Sequence, residues 1–490
     1  KGNIGVTMKK QLEEKMLYDI MELVRIPSVY SEGSFPGAPF GRAVAQCLEK
    51  TLEIGKKLGF QVKNYDGYVG EMDMGHGPVI VGILGHCDVV PAGEGWDSDP
   101  FAPKIINGRI YGRGSSDDKG PLVACMYAVK KLNDEGKIPK DVTIRVIVGT
   151  NEEEDWNDIP YYIERAKNLP CKSIVPDAEF PLIYCEKGLY DIDIIYNHPV
   201  TSNKSDISLD EFEGGSARNA VAAKARAVLE VNEKENIEAI VNEIKRISRK
   251  LTYDCLVDIC DSKISVTVFG KNAHAMNPDK GVNAGVQLIS ILDKLAEKGK
   301  CVSHRRFTKE FCRLIGDDYK GEKCGISCSD GESGCLTMSI GTYSMGNDGS
   351  IRMKASIRYP SSFDFEKIRT AVYRALNTEV FTVEEVSHMK PVYFKEDDDF
   401  IQMLMDVYRE VTGDKDTKPL AIGGATYARA IPNAVGFGPV FPYEAELAHE
   451  PNEFASIDSL IKAQQIYYRT LERICKSVSS EEGDAKNVCQ

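Results

Sequence analysis

The chain has 490 residues, 42% of them hydrophobic and 28% charged, enough to bury a large core in roughly two to three domains. Its net charge of −13 argues against a nucleic-acid partner, and no apolar run approaches the roughly 20 residues that span a bilayer. The 14 cysteines are scattered rather than clustered as a disulfide framework, so free thiols and a cytoplasmic location are expected. No signal-type apolar core opens the chain.

In chain order, Leu12, Met16, Ile20, Leu23 and Val24 recur at helical spacing, which predicts a helix over Met8–Ile26 stopped by Pro27. A second helix is expected over 39–59, closed by Gly59. The run Val79-Ile80-Val81-Gly82-Ile83-Leu84-Gly85-His86-Cys87-Asp88 reads as a strand buried on both faces that ends in a histidine, with a carboxylate two residues on. In open α/β sheets ligands bind beyond the carboxyl ends of strands. Trp96, in the Gly/Pro/Asp-rich loop that follows, is expected to pack on its own loop.

Gly112-Arg113-Gly114-Ser115-Ser116-Asp117-Asp118-Lys119-Gly120 then leads into an apolar helix from Leu122 to Leu132. It matches neither common phosphate-loop pattern, and its two acids at a helix start suit capping or metal binding better than phosphate. Another buried strand, Val142 to Val148, ends in Gly149-Thr150-Asn151-Glu152-Glu153-Glu154-Asp155, and Ser173-Ile174-Val175 runs into Pro176-Asp177. Three strand ends thus carry His/Asp, Glu/Glu and Asp.

After Lys187-Gly188 the pattern changes to half-wet strands such as Tyr190–Ile195, with helices expected at about 217–230, 235–250 and 282–298 and further strands at Ile264–Phe269 and Ser356–Tyr359. The loop cysteines Cys324, Cys328 and Cys335 are read as free thiols rather than a zinc site. A helix over Phe400–Val411, a strand over Ala434–Phe437 and a final helix from about Ser456 to Ile474 return to the first pattern, and a frayed tail is expected after Ser477. This organisation predicts an α/β catalytic domain of residues 1–186 and 386–490, with a central, mostly parallel sheet flanked by helices. An α+β lid of residues 187–385 interrupts it.

Of the seven histidines, His76, His198, His304 and His388 are read as surface or packing residues, with His388 in a polar linker. His86, His274 and His449 sit in loops rich in Gly, Asn or acids, where ligands are usually mounted.

On these residues the chain resembles the co-catalytic zinc peptidase family of aminoacylases, carboxypeptidases and carnosinase-like dipeptidases. The motifs that match, in order, are Gly85-His86-Cys87-Asp88, Gly112 to Gly120, Gly149-Thr150-Asn151-Glu152-Glu153, Pro176-Asp177-Ala178-Glu179-Phe180-Pro181 and His449-Glu450-Pro451-Asn452-Glu453. The PDAEFP string, the Gly423-Gly424-Ala425-Thr426-Tyr427-Ala428-Arg429 segment and the long lid make it most similar to the bacterial PepV-type dipeptidases. Asn151 and Ala425 depart from the family's Asp and Gly. Glu154 makes the glutamate run three residues long, so base and ligand fall at 152 and 153 or one residue later.

The resemblance implies two divalent ions, Zn²⁺ first, with Mn²⁺ or Co²⁺ as alternatives. His86 and Asp177 would hold one, Glu153 and His449 the other, and Asp117 would bridge them, joined to Asp118 by a cis peptide. Asp88 would orient His86, Glu152 would be the general base, and His274 would stabilise the tetrahedral intermediate. Asn219 and Arg358 would touch substrate. The implied activity is hydrolysis of dipeptides or short peptides by a monomer, with no nucleic-acid or membrane partner. The alternatives are an N-acyl-amino-acid deacylase or desuccinylase of the same family, and a metal-depleted binding protein on the same scaffold.

Overall fold

The computed structural model describes residues 2–33, 35–197, 207–231, 237–297, 303–445 and 447–479. His198 and the tail beyond residue 479 lie outside them. The chain divides into two compact units, one of Lys1–Tyr184, Phe394–Leu420 and Ala425–Gln490, the other of Cys185–Tyr393 and Ala421–Gly424.

In the first unit the sheet strands run in the order Gln61–Tyr65, Val69–Gly75, Val142–Gly149, Val79–His86, Lys172–Val175 and Ala434–Gly436. The last four pair in parallel, and the first two form an antiparallel edge. The sheet is therefore mixed, its parallel part confined to the centre. There, seven of the eight residues of Val79–His86 are buried, which explains why that strand is an unbroken apolar run rather than an alternating one.

Gly59 ends the helix Arg42–Leu58 in the left-handed region, at φ 101°, a conformation open to glycine at little cost. The helix Lys119–Asp134 is apolar nearly all round because it is buried nearly all round, with twelve of its sixteen residues inside. It packs against the final helix, Ile457–Val478. Its buried Lys119 reaches the end of the first helix, donating to the carbonyls of Leu23 (3.0 Å) and Ile26 (2.8 Å). That first helix begins earlier than the sequence suggests and runs Gly2–Val24. Among the described residues no helix is long and apolar enough to cross a membrane.

The second unit is built on an eight-stranded antiparallel sheet that includes Lys224–Val231, Gly188–Tyr196 and Ile351–Tyr359. Helices Ile237–Leu251 and Ala284–Glu297 share its hydrophobic core. The helix expected at 217–230 is not there. Its alanine-rich sequence has high helix propensity, but Ala225, Ala227, Leu229 and Val231 alternate into the core. Burial with period two outweighs propensity, and the segment is a strand. Gly188–Tyr196 is also less wet than expected, with seven of nine residues buried between two neighbouring strands. His388 lies on the strand Phe381–Met389 rather than in a linker, stacked 3.4 Å from Phe365 and hydrogen-bonded to the Tyr359 hydroxyl at 2.8 Å.

Candidate metal centre

The parallel register assembles the site. His86 pairs with Gly149 across adjacent strands, so the histidine and the acid run after Gly149 emerge at the same sheet edge. Lys172–Val175, on the other side of the His86 strand, delivers Asp177 to that edge. Asp117 arrives on the glycine-rich loop before the helix Lys119–Asp134, through a cis peptide to Asp118. Gly85 allows the close approach: a Cβ there would lie 2.3 Å from Asp118 Oδ2, the oxygen that accepts the His86 backbone N–H.

Two groups of candidate ligand atoms result, each lying within 4.8 Å of one another: His86, Asp117 and Asp177, and Asp117, Glu153 and His449. Asp117 belongs to both. Its Oδ1 is 3.0 Å from His86 Nε2 and its Oδ2 3.2 Å from His449 Nε2. Asp177 Oδ2 stands 3.6 Å from His86 Nε2, and Glu153 Oε2 2.9 Å from His449 Nε2. The contact at His449 is made by Glu153, while its neighbour Glu154 is exposed.

Asp88 faces the other nitrogen of the His86 ring. Its backbone carbonyl lies 3.1 Å and its carboxylate 3.4 Å from Nδ1, a pairing that leaves Nε2 turned to the cluster. The second carboxylate oxygen of Asp88 accepts the Glu153 backbone N–H at 3.1 Å, tying two strand ends together. Glu152 belongs to neither ligand group. Its backbone carbonyl accepts the Trp156 indole N–H at 2.6 Å.

The carboxylates and imidazoles crowded at this sheet edge disturb one another's protonation, with His86 buried, Asp117, Glu153 and Asp177 half-buried and His449 exposed. Burial, then the Asp117 charge, pushes Asp177 up to about 7. Burial pulls His449 down, but its bonds to Asp117 and Glu153 outweigh it and carry the imidazole up to about 11. Burial likewise opposes, and Asp117 and Asp88 outweigh it, in raising His86 well above its ordinary value. Glu152 and Glu153 are both pushed up, chiefly by burial and then by the charges of Asp177 and Asp117 respectively. The charge needed to relieve these acids without protons is a cation.

His274, Asn219 and Arg358 belong to the second unit. There Asn219 and His274 are neighbours: the Ala275 N–H donates to the Asn219 carbonyl at 2.8 Å, and the Met276 N–H donates to His274 Nδ1 at 3.1 Å. Arg358 is buried on the strand Ile351–Tyr359 rather than lying on the surface. Trp96 packs on its own loop, its indole N–H on the Ala92 carbonyl at 2.7 Å and the Arg113 guanidinium over its ring.

Two supporting residues went unassigned in the sequence. Glu453 closes the His449 motif and is fully buried. Asp158 is buried too, and its Oδ2 accepts from the Thr150 N–H, the Asn151 N–H and the Tyr427 hydroxyl. Glu453 carried a signal, its place in a five-residue motif. Asp158 carried none, being one acid in an acidic stretch.

A cluster of imidazoles and carboxylates around a shared aspartate, at the carboxyl ends of parallel strands, is the arrangement of a metal-dependent hydrolase. The chain belongs to peptidase family M20/M25/M40, whose model matches residues 82–473. It is 35% identical over 469 residues to a Bacillus subtilis protein named "Putative dipeptidase YtjP", an alignment covering 95% of this chain and 98% of that one. The fold is that of the M20 metallo-carboxypeptidase Sso-CP2 from Sulfolobus solfataricus (TM-score 0.54, 17% identity, 93% of this chain and 98% of that chain). It is also that of the di-peptidase Dug1p from Saccharomyces cerevisiae (TM-score 0.54, 15% identity, 96% and 98%).

Proposed function

We propose that the chain is a two-metal dipeptidase. The observation that carries this reading is Asp117, whose two oxygens face His86 and His449 separately. The donor set fits the group: nitrogen and carboxylate oxygen suit Zn²⁺, and also Mn²⁺ or Co²⁺. His86 and Asp177 would hold one ion, Glu153 and His449 the other, and Asp117 both. Bound there, the ions supply a polarised carbonyl and a water acidified toward neutrality.

The chain's own residues do the remainder. Asp88 keeps the His86 proton on Nδ1, so that Nε2 is free to ligate. Glu152, whose carboxyl is raised well above its ordinary value, chiefly by desolvation, takes a proton from the attacking water and returns it to the leaving amine. In the same reading His274 donates to the oxyanion, and Asn219 and Arg358 bind the substrate, the arginine taking its C-terminal carboxylate. "Dipeptidase" in the name of the Bacillus subtilis relative supports the substrate class.

The test is a hydrolysis panel of dipeptides, tripeptides and N-acyl amino acids with each metal. Dipeptides bearing a free α-amine should turn over fastest. Preference for N-acyl amino acids would instead make the chain a deacylase.

A further inference from the structure

Glu453 and Arg113 form a buried ion pair, 2.7 Å between Oε2 and Nη1, across 340 residues of chain. A pair of this kind is often no more than core. Here its hydrogen bonds end on the ligand loops themselves. The Glu453 carboxylate accepts the backbone N–H groups of Gly114 (3.0 Å), Ser116 (2.8 Å) and Asp117 (3.3 Å). Arg113 Nη2 donates to the backbone carbonyl of His449 at 3.2 Å. The Gly112 N–H, at the start of the same loop, donates to the Glu453 carbonyl at 3.0 Å. Both His449 and Asn452 in the motif have positive φ, 67° and 61°, and Asn452 Oδ1 accepts the Asp97 N–H at 2.9 Å. The His449–Glu453 turn is thus pinned at several points to the loop that presents Asp117.

We infer that Glu453, clamped on Arg113, is a positioning residue that sets Asp117 and His449 against each other and so selects for the ion held by Glu153 and His449. The inference rests on the two-metal reading. The selectivity follows from where the bonds go. Two of the three ligands in the Asp117–Glu153–His449 group sit on the clamped loops. In the other group only Asp117 does: His86 and Asp177 lie at the ends of other strands, and the pair's bond nearest to them, from Arg113 Nη2 to the Ala92 carbonyl, is long at 3.4 Å and falls six residues beyond His86. A glutamine at 453 would turn an N–H₂ toward either Arg113 or the loop N–H groups, setting donor against donor. Lysine at 113 would keep the charge but not the fork that reaches Glu453 and His449 together.

The experiment titrates chelator-treated protein with Zn²⁺ and with Mn²⁺ by calorimetry, and follows the melting of the metal-free forms. The wild type should take two equivalents. Glu453→Gln and Arg113→Lys should bind one with wild-type affinity and the other about 10- to 100-fold more weakly. Combining Glu453→Gln with His449→Ala should add nothing to the loss of that second ion caused by His449→Ala alone. Equal weakening of both ions, unchanged binding of both, or two variants that no longer fold without metal would each overturn the positioning role. A wild type that takes fewer than two ions would remove the two-metal reading, and this inference with it.

Discussion

Asp158→Asn removes a buried charge while keeping the side chain's size. In the folded protein Asp158 Oδ2 accepts from the Thr150 N–H at 2.7 Å, the Asn151 N–H at 3.0 Å and the Tyr427 hydroxyl at 2.6 Å. Burial nevertheless dominates, and outweighs the pull of the Tyr427 bond to push the carboxyl from 3.8 up to about 6. At about 1.36 kcal/mol per unit of pKa, ionising Asp158 in the fold is harder than in the unfolded chain by about 3 kcal/mol. Below pH 3.8 both states hold the proton. As pH rises the unfolded chain ionises first, so the folded state's advantage shrinks, and it is fully lost above about pH 6. The asparagine variant lacks this titration. Urea denaturation of metal-free wild type and variant, at half-unit pH steps, isolates the effect, since titrations common to both cancel in the difference. The wild type's stability relative to the variant should fall by about 3 kcal/mol between about pH 4 and pH 6 and then level off. A difference that stays flat across this range would refute the reasoning.

The remaining predictions concern the site. Glu152→Gln should lower dipeptide turnover about 10²- to 10⁴-fold without changing metal content; retained turnover would remove Glu152 as the base. His274→Ala should lower kcat about 10²- to 10³-fold with little change in KM, and an unaltered kcat would take it out of the oxyanion role. Gly149→Ala places a Cβ 2.4 Å from the Tyr427 hydroxyl and 2.8 Å from Asp158 Oδ2. Overpacking of this kind destabilises by about 1–3 kcal/mol, readable as a lower urea midpoint, and a wild-type midpoint would mean the strand end yields freely.

Much of the candidate site is legible in the sequence because most of the candidate ligands follow a feature with its own physical signature. His86, the acid run and Asp177 terminate apolar strands, and Asp117 ends a glycine-rich loop at a helix start. The supporting residues lack such signatures. Asp158 acts through Tyr427, 269 residues away, and Glu453 through Arg113, 340 residues away. A charged residue reads as solvated until its distant partner is known. The strand Lys224–Val231 was hidden for a related reason. Alanine favours helix locally, and only the neighbouring strands make burial on alternate positions pay. The edge strands Gln61–Gly75 were equally quiet, because charges at Lys63, Glu71 and Asp73 interrupt any apolar run.

The central claim is that catalysis depends on two cations held around Asp117. Chelator-treated protein, titrated with Zn²⁺ or Mn²⁺ while dipeptide hydrolysis and bound metal are followed together, tests it directly. Hydrolysis should be absent without metal and reach its plateau as the second equivalent binds. Full hydrolysis in excess chelator, or a plateau with no more than one ion bound, would contradict it.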